Sequence, residues 1–96
     1  MTQPTPDLNW KEEAPDYFQI YIKEFANLAD IALKNGSPFH SVRVAKRVIK
    51  EAGREAGRVM GWVISATTEQ GWEYENTTLD DEGSFWFLFK NPYVFS

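Results

Sequence analysis

Apolar residues recur at steps of three and four between residues 16 and 34, which is the period of one face of an α-helix. The residues on this face are Phe18, Tyr21, Ile22, Phe25, Leu28, Ala29, Ala32 and Leu33. Asp16 suits the positive end of a helix, and the Asn35-Gly36 pair after Lys34 is a typical stop. The pattern predicts an amphipathic helix from about Asp16 to Lys34.

Small apolar residues continue at helical spacing after this stop. Ser37 is a candidate N-cap, and Pro38 would occupy the first helical position. The residues in helical register are Val42, Ala45, Val48, Ile49, Ala52 and Ala56. They predict a second helix, with small side chains against the bulky stripe of the first.

Three glycines make the end of this second helix ambiguous. Gly53, Gly57 and Gly61 recur every four residues, and each costs about 1 kcal/mol relative to alanine inside a helix. We favour a helix ending near Ala56 and a strand beginning at Arg58, because residues 62–64 (Trp-Val-Ile) have high β-propensity. The alternative is a helix that continues to about Thr67.

Residues 69–91 show the alternation of β-strands separated by turns. Residues 69–71 (Glu-Gln-Gly) and 80–83 (Asp-Asp-Glu-Gly) are turn sequences. Trp72, Tyr74 and Asn76 alternate with polar residues in the first strand. In the second, every other residue from 85 to 89 is phenylalanine, which predicts one face directed at the helices, and Asn91-Pro92 ends the strand.

These elements predict an α+β fold: two antiparallel helices packed on one face of a small antiparallel β-hairpin or three-stranded meander. Residues 1–15 contain three prolines and are expected to form a flexible polar arm whose end is anchored by Leu8 and Trp10. Residues 16–96 would then form a single domain. With 43% hydrophobic and 16% aromatic residues, the composition is that of a globular protein.

The composition also excludes some chemistry. The chain has no cysteine, so disulfides, thiolate metal sites and cysteine nucleophiles are absent. Residues 1–6 lack the basic and apolar regions of a secretory signal, and no apolar run approaches the ~20 residues of a membrane span. A soluble cytoplasmic protein without membrane contacts is expected.

Charge is unevenly distributed along the chain. Residues 37–59 contain six basic and two acidic residues, a net of +4, whereas residues 1–36 carry −3 and residues 60–96 carry −5. On a helix, Arg43, Arg47, Lys50 and Arg54 would share one broad face with Lys46 and Arg58. A phosphate-binding surface for nucleic acid is one interpretation. A solvated helix face is the other, and the acidic overall charge of −4 favours it.

The β region combines acids with aromatic residues. Trp72, Tyr74 and Trp86, together with Asp80, Asp81 and Glu82, are predicted to form a partner-binding surface, because outward aromatics dominate protein interfaces. The acids lack the alternating spacing of a calcium loop, so no metal site is predicted. The alternative is that the small core takes most of the aromatics and that the acids only solvate a turn.

Little points to catalysis. His40 is the only histidine, and its neighbour Ser41 would diverge from it on a helix. We therefore expect no enzyme activity and no cofactor. The leading hypothesis is a small protein-binding module, of the inhibitor, immunity or adaptor type, whose partner has a basic surface. Nucleic-acid binding through the basic helix is the alternative, and a homodimer joined by opposite charges is left open.

Overall fold

The computed structural model of the protein describes residues 10–94, apart from the side chain of Glu13. In chain order the elements are α1 (Trp10–Glu13), α2 (Asp16–Lys34), β1 (Phe39–Val44), α3 (Lys46–Ala52), a 3-10 turn (Gly53–Glu55), α4 (Ala56–Thr68), β2 (Glu73–Leu79) and β3 (Phe85–Lys90). The helices pack on a three-stranded antiparallel sheet in the order β1-β3-β2, which confirms the predicted α+β class.

Helix α2 agrees closely with the first helix predicted from the sequence. Pro15 has an extended backbone and is the N-cap residue of α2, and the helix ends at Lys34. The backbone then reverses at Gly36, whose φ of 77° lies in the region that favours glycine. The N–H of Ser37 donates back to the carbonyl of Ala32, which satisfies one of the last carbonyls of the helix.

The prediction of a second helix across residues 38–56 is wrong in its first half, because residues 39–44 form β1. The buried Val42 and Val44 alternate with the exposed Ser41 and Arg43, which is the period of a strand. The spacing from Val42 to Ala45 also fits a helix, so the sequence pattern was ambiguous. Pairing with β3 and burial of both valines decided for the strand.

The favoured strand at Arg58 is also wrong, because residues 56–68 form helix α4. The preceding helix ends earlier than predicted, because Gly53, with a φ of 57°, is the C-cap of α3. Within α4, Val59, Trp62, Val63 and Ala66 recur every three or four residues and are buried. Burial along this stripe outweighs the β-propensity of residues 62–64.

The predicted hairpin is present as β2 and β3, and β3 is the central strand. Its inner face carries Phe85, Phe87 and Phe89, and the last two are fully buried. Directly after β3, the buried Asn91 holds the segment that leads into β1. Its side-chain amide donates to the carbonyl of Ser37 at 3.0 Å, and its backbone N–H donates to the carbonyl of Pro38 at 2.9 Å. This contact aligns the start of β1 with the end of β3.

Two layers of buried side chains form the core. One lies between α1, α2 and α4, where Phe18 packs on Trp62 with ring centroids 6.0 Å apart. The other lies between the helices and the inner face of the sheet, around Val63 and Phe87. Of the predicted polar arm, residues 1–9, Leu8 among them, lie outside the described residues, whereas Trp10 and Ala14 are buried against α4.

Candidate functional site

The sheet face away from the helices, here called the outer face, carries three rows of side chains. Residues paired across antiparallel strands share a face, so the register assigns the rows directly. The rows are Phe39–Lys90–Glu73, Ser41–Leu88–Asn76 and Arg43–Trp86–Thr78. Trp86, one of the residues predicted for the partner-binding surface, lies on this face.

Trp86 is held in place by two charged neighbours. Its indole Nε1–H donates to Oδ2 of Asp80 at 2.8 Å, and the guanidinium of Arg43 lies 6.0 Å from the ring centroid. The ring is still 39% exposed. Trp86 therefore presents an aromatic surface whose orientation is fixed before any partner arrives.

Asp80 organises the turn between β2 and β3. Its Oδ1 accepts hydrogen bonds from the backbone N–H groups of Glu82 and Ser84, both at 2.9 Å. The hydrogen bond from Trp86 is the main cause that lowers the pKa of the Asp80 carboxyl below its ordinary value of 3.8, and these backbone donors act in the same direction. Asp80 is thus a structural anion of the site, whereas Asp81 and Glu82 are exposed to solvent.

Arg43, predicted for the nucleic-acid surface, belongs to this aromatic and acidic site instead. It lies on β1 opposite Trp86, because residues 39–44 form a strand. Its guanidinium donates to Oγ of Ser84 at 3.1 Å and lies 3.6 Å from the carboxylate of Glu82. Two members of the predicted cationic and anionic surfaces are therefore in contact.

Trp72 does not belong to the predicted surface, because it is buried at 3% exposure. It precedes β2, its Nε1–H donates to the carbonyl of Ala29 at 2.8 Å, and the ring stacks on His40 with centroids 5.3 Å apart. The alternative that the small core takes most of the aromatic residues is therefore the correct one for Trp72.

Tyr74 is exposed but lies on the opposite sheet face from Trp86. It pairs with Phe89, an inner-face residue, and its ring contacts Phe89 edge-on at 5.9 Å. Its hydroxyl shares a hydrogen bond with Thr77. The helices do not cover this edge, so Tyr74 stays 41% exposed, yet it cannot join Trp86 in one flat contact.

The remaining predicted cations lie along α3 and the turn that follows it. Arg47, Lys50 and Arg54 are exposed, and no described carboxylate lies within ion-pair distance of them. Lys46 points the other way: a Cβ on Gly83 would lie 2.9 Å from its Cδ, so its stem rests against the acidic turn. Of the predicted cations, only Arg47, Lys50 and Arg54 match the expected separation of cationic and anionic surfaces. Arg43 and Lys46 lie against the acidic turn.

His40 lies on β1 and is partly buried on the side that faces α2. Burial lowers the pKa of its imidazole below 6.5, and its Nε2 has no hydrogen-bond partner among the described residues. It lines a small cavity of about 100 Å³ together with Phe25, Leu28 and residues 41–43. Across residues 10–94, no three acidic or histidine side chains are grouped as a metal site would require.

Helix α2 has a second apolar face that the sequence analysis missed. Tyr17, Ile20, Tyr21, Leu28 and Ile31, here called the α2 stripe, are all 41–68% exposed. They flank the buried Phe18, Ile22 and Ala29 on one side of the helix, and the rings of Tyr17 and Tyr21 contact Phe18. The steps of three from Tyr17 to Ile20 and from Leu28 to Ile31 were visible in the sequence. The prediction assigned only one apolar face to the helix, so it placed Tyr21 and Leu28 in the core.

Comparisons with known proteins found no match to this chain: no protein-family model, no curated protein and no solved structure corresponds to it. None of the helices in the described part of the chain is both long and apolar enough to cross a membrane.

Proposed function

We propose that the protein is a non-enzymatic binding module that docks onto a basic protein surface through the outer face and the turn beside it. The observation that carries this proposal is Trp86, half-exposed on a face without helices and fixed by Asp80 and Arg43. Tryptophan and arginine are the side chains most enriched among residues that dominate binding energy.

Preorganisation supports this role. A side chain that is already ordered loses little conformational entropy on binding, and ordering a flexible one costs about 0.5–1.5 kcal/mol. The indole of Trp86 is ordered by its hydrogen bond to Asp80, and the turn that holds Asp80 is ordered by two backbone hydrogen bonds. The surface is therefore suited to tight contact without rearrangement.

Charge indicates the kind of partner. The outer face and its turn carry five carboxylates, namely Glu73, Glu75, Asp80, Asp81 and Glu82, against two cations, Arg43 and Lys90. The local net charge is 2 − 5 = −3, even with Lys90 3.6 Å from the carboxylates of Glu73 and Glu75. Such a field accelerates encounter with a cationic protein and disfavours nucleic acid at this face.

The test compares baits that differ only at this surface. Wild type, Trp86→Ala and the double variant Asp81→Lys/Glu82→Lys are immobilised and exposed to extract of the source cells. Leu79→Ala is the matched control, because Leu79 is 61% exposed but lies on the opposite sheet face. Circular dichroism verifies that each bait is folded.

We expect a protein that wild type and Leu79→Ala retain and that the two site variants lose. With that protein purified, Trp86→Ala should weaken binding by about 30-fold, the equivalent of about 2 kcal/mol. Affinity should also fall with added salt. A partner bound equally by all four baits would place the contact elsewhere and overturn the proposal.

Nucleic-acid binding is the second candidate, and one observation favours it. Arg47, Lys50 and Arg54 are exposed, and no described carboxylate lies within ion-pair distance of them. Binding to random duplex DNA and to RNA, measured at two salt concentrations, tests it directly. Affinity that falls steeply with salt and is lost in Arg47→Glu/Lys50→Glu would support this function, and salt-independent or absent binding would remove it.

A further inference from the structure

The two edges of the sheet differ in their protection against pairing with another strand. Edge strand β2 carries Glu73 and Glu75, and an irregular register between Tyr74 and Asn76 makes Glu75 an extra residue. Charges and bulges of this kind block strand addition. Edge strand β1 pairs with β3 in unbroken register, and Arg43 is its only charged residue. The β1 edge is therefore less protected than the β2 edge, because it carries one charge and no bulge.

One end of the α2 stripe lies beside this edge. Leu28 of the stripe lines the small cavity together with residues 40–43 of β1, and α2 contacts β1 directly. From Tyr17 to Ile31 the stripe extends about 21 Å at 1.5 Å per residue. The Leu28 end of this apolar stripe therefore lies beside an edge of β1 with which no strand of residues 10–94 pairs.

We propose that the chain forms a symmetric homodimer in which the two β1 strands pair antiparallel and the two α2 stripes pack together. The joined sheets would have six strands, with the helices of both copies on one side. Since paired residues share a face, one residue of β1 must pair with its own copy, and the symmetry axis lies midway between the two. In the two central registers this residue is Ser41 or Val42. Both registers keep Val42 and Val44 directed at the core.

A second copy fits both features together, which an extended peptide does not. A peptide strand would satisfy the β1 edge but leave most of the α2 stripe exposed, whereas a two-fold axis brings each surface onto its own copy. The exposed parts of the stripe offer on the order of 500 Å² per copy, and strand pairing brings this near the ~800 Å² per partner of stable interfaces. Glu24 is the only charged residue between the stripe positions on that helix face, so repulsion between copies is small.

The experiment measures molar mass by light scattering and sedimentation over a range of concentrations. The chain mass is 11.1 kDa, so a dimer has twice that mass. Two variants test the two parts of the interface separately. Ile31→Glu places a charge in the α2 stripe, and Ser41→Lys places like charges near each other where the two β1 strands pair. Leu79→Glu is the control, the same kind of change at an exposed apolar residue on the guarded edge.

We expect wild type and Leu79→Glu to be dimers, and both interface variants to dissociate at least about tenfold more readily. Amide hydrogen exchange gives a second measurement: protection of β1 amides should decrease on dilution, while that of β2 amides should not change. Monomeric wild type at high micromolar concentration would refute the dimer. A dimer unaffected by either variant, or abolished by salt alone, would place the contact on another surface.

Discussion

The indole of Trp72 donates a hydrogen bond to the main-chain carbonyl of Ala29, 43 residues earlier and in the middle of α2. Both groups are buried, and the bond is 2.8 Å long. It joins the segment that enters β2 to the central helix and fixes the height of the helix above the sheet. A tryptophan chosen from its sequence context as a contact residue is therefore part of the framework.

Replacing Trp72 should destabilise the fold far more than replacing Trp86. Trp72→Phe leaves the buried Ala29 carbonyl without its side-chain donor and shrinks the ring, which should cost about 1–3 kcal/mol of unfolding free energy. Trp86→Phe is the matched control at a half-exposed site and should cost under about 1 kcal/mol. Urea titration followed by circular dichroism measures both. Equal losses would contradict the structural role assigned to Trp72.

Two glycines of the four-residue repeat should respond to alanine with opposite signs. Gly57 lies in helix α4 with open space around it, so Gly57→Ala should stabilise the protein by up to about 1 kcal/mol. Gly53 has a φ of 57° that alanine rarely adopts, so Gly53→Ala should destabilise by about 1 kcal/mol. Thermal unfolding of both variants checks the prediction. A stabilising change at Gly53 would mean that α3 continues into α4 without a break.

Acid should release Trp86 from its fixed position. The folded-state pKa of Asp80 lies below 3.8, so its stabilising contribution is complete above pH 3.8 and is lost as the pH falls through the folded pKa. The indole Hε1 resonance of Trp86 should titrate with that pKa. In Asp80→Asn the titration should vanish, whereas Asp81→Asn should leave it in place. Titration of this resonance in the Asp80 variant would assign it to another carboxyl.

Stability should also fall at mildly acidic pH because of His40. Burial lowers the pKa of the folded-state imidazole below 6.5, so the unfolded chain binds a proton first as the pH decreases. The unfolding free energy should therefore be constant above about pH 7 and decrease from 6.5 down to the folded pKa.

His40→Phe is the variant that isolates this effect. It keeps an aromatic ring on Trp72 and removes the buried Nε2, which has no hydrogen-bond partner among the described residues. Denaturant titrations between pH 5 and 8 should show the slope in wild type and not in the variant. The same slope in both proteins would show that another group titrates there.

The sequence predicted those elements in which local pattern and tertiary burial agree. Alternating phenylalanines at 85, 87 and 89 could serve only a strand with one buried face, and they form β3. The apolar residues at helical spacing from Phe18 to Leu33 predicted α2 with the bounds that the structure has. In both segments a single period accounts for all the large apolar residues of the core.

Prediction was wrong where two periods fit the same residues. Val42 satisfies a helix with Ala45 and a strand with Val44, and only the distant partner β3 distinguishes them. Residues 62–64 favour a strand locally, but their burial against α2 and the sheet makes them helical. The candidate site was affected in the same way: Arg43 reached Trp86 through strand pairing across 43 positions, which no local pattern contains.

The strand order β1-β3-β2 has a consequence for how the chain is made. Both outer strands bond only to β3 within this sheet, and β3 is the last of the three to be synthesised. A growing polypeptide therefore carries β1 and β2 without a strand neighbour until residues 85–90 emerge from the ribosome. Assembly of the sheet must wait for that moment, and until then the backbone groups of β1 and β2 that bond to β3 have no strand partner.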